Sequence, residues 1–295
     1  MSQILSARTT EDSVINLKLI TDRTGDLPPL PATAMKAMQM TKDSKVTARD
    51  LQIVISQDQA LSARILRIVN SAAYCFRREV STVSHAVTLL GMETVRSIII
   101  AAAIQQFSAT GMRRAGDLGT KLMTDHSWGA AIAARLIARR VRYVNREEAF
   151  LCGLMHDIGK PVLLQSIPVE YLPIINDVYR GYTTFHESEM IAFGFSHSQT
   201  AALLATKWNF PRQLSEAIGY HHDPLSAPSF SQLACITSLS NKMMIFLEVG
   251  FERNQALKLE TLPEAAFLKL NRSDLDDIVT EVQTCGTQMT ASRTM

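Results

Sequence analysis

Apolar residues recur every three or four positions along most of the chain, a spacing that predicts amphipathic helices. Thr47 and Asp50 open one such stretch, because a cap residue followed three positions later by an acid marks a helix start. Thr184–Glu187 and Ser196–Gln199 carry the capping-box pattern, and Gly91 is placed to end a helix. The first stretch continues through apolar residues at helical spacing: Leu51, Val54, Ile55, Leu61, Ile65, Ile68 and Val69.

Signals for β-strands are nearly absent from the sequence. The chain has no Asn-Gly or Asp-Gly hairpin turn and no sustained alternation of apolar and polar positions. The pattern therefore predicts an all-α fold. Two stretches interrupt it: Ser108 to Asp117, which contains two glycines and predicts a seam, and Asp223 to Ser229, which predicts a loop between helices.

Charge and hydropathy exclude several classes of function. The 295 residues include 30 Lys and Arg against 28 Asp and Glu, and the resulting formal charge of +2 does not indicate binding to nucleic acid. The longest apolar run, Ile98 to Ile104, is too short to span a bilayer, and the polar N-terminus lacks the core of a signal peptide. The four cysteines are scattered and lack CxxC spacing, so we expect them to be buried, reduced thiols: Cys75, Cys152, Cys235 and Cys285. We expect a cytoplasmic protein with no membrane or nucleic-acid partner.

Histidines are unevenly placed, since six of the seven lie between residues 126 and 222. The strongest local feature is His156-Asp157, which follows an apolar helical run and precedes the helix breakers Gly159 and Pro161. At a helix end the backbone can turn, so an imidazole and a carboxylate can point at one ion. Such a pair suits a divalent metal bound through nitrogen and oxygen.

The other histidines each have a structural alternative. His126 lies on a largely apolar helical face, where a lone histidine is more often a satisfied core residue. His197 reads as a residue of a first helical turn, and His221 and His222 as helix-end residues favoured by the dipole. Clustered around one cleft, these residues would instead form a metal site. His186 fits a helix start outside that cleft.

An ordered set of short segments resembles the HDOD family, whose name means HD-related output domain, a bacterial signalling module. The resemblance covers residues 24–245, with Gln59 at a position where the family usually has proline. Its segments are Leu27–Leu30 (LPPL), Asp58 with Ala60–Ser62, Leu66–Ser71 (LRIVNS), Ala86–Gly91 (AVTLLG), Gly153–Lys160 (GLMHDIGK), Phe193–His197 (FGFSH), Trp208–Pro211 (WNFP) and His221-His222.

This resemblance implies a two-lobed helical fold with an HD-domain-like C-terminal lobe. We expect an N-terminal segment at residues 1–26, a first helical lobe at 27–107, the HD-like lobe at 108–249 and a helical extension at 250–295.

HDOD domains are similar to the HD superfamily of metal-dependent phosphohydrolases, including the HD-GYP phosphodiesterases. By resemblance, Asn241 falls where a closing Asp should be, and Lys160 would approach a substrate phosphate as a point charge. The implied cofactor is one or two divalent ions (Fe, Mn, Zn or Mg), or the site is vestigial. By resemblance, His126 and the His156-Asp157 pair would hold a first metal. The candidates for a second metal are His197, His221 and His222, which resemble the further histidines of the HD-GYP branch.

Three departures from the HD-GYP pattern bear on chemistry. Asn241 replaces a carboxylate, Leu122 stands where bimetallic sites can carry Glu, and no Gly-Tyr-Pro segment follows His221-His222. Metal-assisted hydrolysis needs a firmly held ion that lowers the pKa of bound water. The first hypothesis is therefore a non-catalytic signalling module that acts through signalling proteins or a nucleotide ligand. The alternative is a metal-dependent phosphohydrolase acting on a nucleotide or other phosphoester. The sequence favours the first and leaves the input signal and the oligomeric state open.

Overall fold

The computed structural model describes residues 22, 27–30, 32–40, 45–56, 58–70 and 79–291. The expected N-terminal segment, Ser71 and Cys75 lie outside the described residues, apart from Asp22. Within the described part of the chain there is no β-strand, so the all-α prediction is confirmed. No described helix is both long enough and apolar enough to cross a membrane.

Five helices lie within the described residues of the N-terminal part of the fold. Thr47 and Asp50 cap the second of them reciprocally, since each backbone N–H donates to the other's side chain, at 2.9 and 3.2 Å. Gly91 ends the fourth helix with φ at +81°, as predicted. The helices are α1 (Ala32–Met40), α2 (Ala48–Ser56), α3 (Gln59–Val69), α4 (Val83–Leu90) and α5 (Met92–Gly111).

The HD-like part begins after a 3₁₀ turn at Met112–Ala115 and contains eight helices. The predicted loop at Asp223–Ser229 does connect two of them and includes a short 3₁₀ turn, Pro224–Ser226. The helices are α6 (Gly116–Arg140), α7 (Arg146–Met155), α8 (Gly159–Ser166), α9 (Pro168–Tyr179), α10 (Phe185–Phe193), α11 (His197–Lys207), α12 (Arg212–Gly219) and α13 (Ser231–Phe246).

The seam predicted at Ser108 to Asp117 begins later in the structure than in the prediction. Helix α5 continues through Ser108 to Gly111, and both Ser108 and Met112 are buried. Gly111 is a packing position inside the helix, because a Cβ there would lie 2.6 Å from Cβ of Pro161. The glycine that suggested a break instead allows α5 to approach α8 closely, and the chain turns at 112–115.

One continuous apolar core joins the N-terminal helices to the HD-like helices. Two family segments meet across it, since Trp208 Nε1 donates to the carbonyl of Pro28 at 3.0 Å and Lys207 Nζ donates to that of Leu27 at 2.6 Å. Trp208 and Trp128 are both buried. Asn70 closes the turn after α3 by exchanging hydrogen bonds with the backbone of Val80, at 2.7 and 2.9 Å.

The C-terminal extension packs back on the HD-like helices. It contains a 3₁₀ turn (Leu259–Thr261), α14 (Pro263–Phe267) and α15 (Arg272–Ala291). The carboxylate of Glu264 is buried and binds Lys242 Nζ at 2.5 Å. Arg140 at the end of α6 pairs with Asp274 at the start of α15, so the extension partly neutralises the basic end of α6. The lobe boundaries remain a prediction, because the core is continuous across them.

Candidate metal centre

The cleft is built where α6 and the end of α7 cross. Gly153 allows this approach, because a Cβ there would lie 2.5 Å from the carbonyl oxygen of Ala130. The crossing brings Nε2 of His126 to 3.2 Å from Nε2 of His156. Each ring is oriented through its other nitrogen, since Nδ1 of His126 lies 2.8 Å from the carbonyl of Val249 and Nδ1 of His156 lies 2.8 Å from that of Gly153.

Asp157 is the centre of the cluster and is almost completely buried. Its Oδ2 lies 3.4 Å from Nε2 of His126 and 3.3 Å from Nε2 of His156. The same oxygen accepts a hydrogen bond from Lys160 Nζ at 2.6 Å. Lys160, one turn after Asp157, places its ammonium 4.2 Å above the Phe185 ring. An internal cation therefore occupies the position beside the oxygen that two imidazoles also face.

His197 reaches the other oxygen of Asp157. It is the first residue of α11, and its Nε2 lies 3.1 Å from Oδ1 of Asp157. The helix can come this close because Gly159 has no side chain; a Cβ there would lie 2.0 Å from the His197 carbonyl oxygen. Gln199 caps the helix as the sequence predicts, accepting the Ser196 N–H at 2.9 Å.

Glu189 is a functional residue that the sequence reasoning missed. Its buried carboxylate accepts both the backbone N–H of His197 and a hydrogen bond from Nδ1 of that ring, each at 2.6 Å. The phenol of Tyr171 donates to its other oxygen. A carboxylate on Nδ1 directs Nε2 of His197 toward Asp157, as such partners do for metal-binding histidines.

His221 and His222 complete the cluster from the end of α12. Nδ1 of His221 lies 2.8 Å from the carbonyl of Ile218, and among the described residues its buried Nε2 has no hydrogen-bond partner. Nε2 of His222 lies 3.0 Å from Nε2 of His197. His186 occupies a helix start as predicted, but its ring packs on His222 with centroids 4.4 Å apart. The expectation that His186 lies outside the cleft is therefore wrong: it flanks the cluster.

Burial sets the protonation of most of these histidines. It lowers the pKa of His126 to about 4, against the attraction of Asp157. Burial and the neighbouring imidazoles likewise hold the pKa values of His221 and His222 well below the usual range. These rings are neutral at physiological pH, which is the form that binds metals.

His197 and Asp157 behave in the opposite way. Burial disfavours the charge of His197, but Glu189 and Asp157 outweigh it and raise its pKa to about 9. Burial also disfavours the Asp157 carboxylate, but His156 and Lys160 hold its pKa well below the usual range. The protein thus pairs the Asp157 carboxylate with two of its own cations, the His197 imidazolium and the Lys160 ammonium.

A narrow cavity of about 10 Å³ opens onto the cluster. This is about the room that one water molecule needs. Asn241 lines it beside His126 and Asp157, in the place the resemblance gives to an aspartate. Leu122 instead packs against the aromatic cluster around Tyr171. Glu252, which the sequence reasoning also missed, brings a second carboxylate to the cavity.

The donor set fits divalent ions at two adjacent positions. His126, His156 and Asp157 form one group whose ligand atoms lie within 4.8 Å of one another, and His197, His221 and His222 form a second. Nε2 of His221, which has no hydrogen-bond partner among the described residues, could coordinate an ion at the second position. A bound ion would supply Lewis acidity and an activated water. Binding would require His197 to lose its proton and Lys160 to leave Asp157.

An all-helical fold with a His-Asp pair at a helix junction and further histidines around it defines an HD-like protein. The sequence model of the HDOD domain family matches residues 27–224. The chain therefore belongs to the HDOD family.

Solved structures agree with this assignment. An HDOD domain protein of unknown function from Geobacter sulfurreducens is 26% identical, with a TM-score of 0.80 over 95% of this chain and 98% of that one. A protein from Shewanella amazonensis SB2B, provisionally named a phosphohydrolase, has the same fold at 24% identity, with a TM-score of 0.72 over 92% of this chain and 96% of that one.

A curated relative is considerably longer than this chain. An uncharacterized protein of Treponema pallidum (strain Nichols) is 23% identical over 253 residues, which are 84% of this chain and 48% of that protein. The chain therefore spans about half the length of the curated relative it matches.

Proposed function

We propose that this chain is a non-catalytic signalling module that acts through contacts with other signalling proteins and keeps a degenerate HD metal site. The observation that carries the proposal is the state of Asp157. Its Oδ2 is bound by Lys160 at 2.6 Å, and its Oδ1 lies 3.1 Å from His197. A metal would have to displace the Lys160 ammonium from Oδ2 and compete with the His197 imidazolium beside Oδ1, and both effects would weaken its binding.

Access and charge support the same function. His156, Asp157, His197 and His221 are each at most 1% exposed, and the cavity beside them has room for about one water molecule. A nucleotide phosphate could not reach the cluster without a rearrangement. The amide of Asn241 also places no negative charge at the position where the resemblance expects an aspartate.

The alternative function is metal-dependent hydrolysis of a nucleotide or other phosphoester. It is favoured by one observation: two groups of metal-binding side chains lie side by side and are joined through Asp157. Two adjacent ions can stabilise the attacking and leaving oxygens of a phosphoester. The provisional name of the Shewanella protein belongs to the same class of enzyme.

Metal content and turnover, measured on the same preparations, separate the two functions. The protein would be purified without chelators, analysed for bound metals, and screened against nucleotides and phosphodiesters with Mn²⁺ or Fe²⁺ added. We expect substoichiometric metal and no turnover above that of H156A and D157A. The matched control is H85A, since His85 is the exposed histidine on α4, away from the cluster. Stoichiometric metal with turnover that H156A and D157A abolish and H85A retains would refute the proposal.

A further inference from the structure

The cavity beside Asp157 is lined by a carboxylate that belongs to no family segment. Glu252 lies in the loop after α13 and shares the cavity with His126, Asp157 and Asn241. Asp157 is the one other carboxylate among the residues that line it. Apart from Glu252, the cavity therefore has one negative charge to set against the charge of a dication.

The backbone that leads to Glu252 is fixed against the site. The carbonyl of Val249 lies 2.8 Å from Nδ1 of His126 and so directs Nε2 of that ring toward Asp157. Gly250 has φ at +123°, and a Cβ there would lie 2.8 Å from the same Nδ1. Only a glycine with this conformation lets the loop run so close to the ring.

The Glu252 side chain is held in place where it lines the cavity. Its Oε1 accepts the backbone N–H of Phe185 at 3.1 Å. The Phe185 ring packs on Phe251, with centroids 5.7 Å apart, and lies beneath the Lys160 ammonium. The carboxylate is therefore anchored through one oxygen to Phe185, whose ring lies beneath the internal cation that an incoming ion must displace.

We propose that Glu252 supplies the second carboxylate charge of the cation site around Asp157 and so replaces the charge that is missing at Asn241. The inference rests on the proposed function, because it concerns the ion that the degenerate site would bind. A hard divalent cation suits this set of carboxylate, amide and imidazole ligands. Glu252 balances its charge, and the carboxylate also offers the displaced Lys160 ammonium a partner in the same cavity.

Mn²⁺ binding to the full chain, measured by calorimetry after removal of endogenous metal, tests this role. Glu252→Gln keeps the acceptor for the Phe185 N–H and removes only the charge. We expect wild type to bind Mn²⁺ saturably and E252Q to bind it at least about 10-fold more weakly, because the variant loses one of the two carboxylate charges that line the cavity. The matched control is Glu248→Gln, which makes the same change at an exposed residue of the same connection, and its affinity should stay within about twofold of wild type.

A second variant tests whether a carboxylate at position 241 can compensate for the loss of the Glu252 charge. If Glu252 replaces the charge lost at position 241, N241D should restore most of the affinity that E252Q loses. E252Q affinity within about twofold of wild type, equal losses in E252Q and E248Q, no rescue by N241D, or no saturable Mn²⁺ binding by wild type would each overturn the inference. None of these outcomes involves turnover, so failure of the proposed function would be seen separately, as hydrolysis that requires Asp157.

Discussion

Replacing Lys160 by methionine would test whether an internal cation occupies the metal position. Methionine keeps much of the side-chain volume but removes the ammonium that lies 2.6 Å from Oδ2 of Asp157. The pair is buried, since the side chains are 9% and 1% exposed. Removing one partner of a buried ion pair costs about 3–5 kcal/mol, because the other charge is left uncompensated. At about 2–4 °C per kcal/mol in a large domain, we expect Tm to fall by on the order of 10 °C.

Divalent metal should then recover part of the lost stability. In K160M the oxygen of Asp157 is available to an ion, and saturating Mn²⁺ at 100 times its Kd would add about 2.7 kcal/mol. Differential scanning calorimetry in chelator and in Mn²⁺ measures both effects. The control is K121M, since Lys121 pairs with Asp125 on the exposed surface of α6, where such pairs are worth about 0–1 kcal/mol.

Two outcomes of this experiment would contradict the role of Lys160 as an internal cation. If K160M is as stable as K121M in chelator, the ammonium does not compensate the buried carboxylate. If Mn²⁺ stabilises K160M no more than wild type, Lys160 does not compete with metal for Asp157.

Three further predictions concern other groups of the site. Gly159→Ala should destabilise the protein by about 1–3 kcal/mol in urea unfolding, since its Cβ would lie 2.0 Å from the His197 carbonyl; unchanged stability would contradict the close packing. Without metal, the stability from protonated His197 should be full below pH 6.5 and lost as pH rises through about 9, while His126 should lower stability as pH falls from 6.5 to 4. Unfolding midpoints measured across pH check both slopes, and a flat profile would contradict them. Asn241→Asp should tighten Mn²⁺ binding in calorimetry less in wild type than in E252Q, because Glu252 already supplies a second charge in wild type; an equal gain in both backgrounds would contradict compensation.

Much of the site could be predicted because its residues lie in short, ordered segments. The His156-Asp157 pair, His197 and His221-His222 each lie at a recognisable helix boundary, and His126 lies on an apolar helical face; the structure brings them together. The all-α fold was equally accessible, since helical spacing and capping boxes are local features of the sequence.

The remaining residues depend on contacts between distant segments. Glu189 looks like an ordinary helix residue in the sequence, and only the packing of α10 against α11 places its carboxylate on His197. Glu252 becomes part of the cavity only when the loop after α13 folds back over His126. Gly111 shows the same limitation, because a glycine that permits close helix packing has the same sequence signal as one that ends a helix.

The central claim is that the cluster around Asp157 no longer performs hydrolysis. Single-turnover assays test it most directly, with Mn²⁺-loaded protein in excess over labelled nucleotide phosphodiesters and D157N measured in parallel. The account predicts that wild type and D157N give the same rate as buffer with Mn²⁺. Product formation by wild type that D157N abolishes would contradict it.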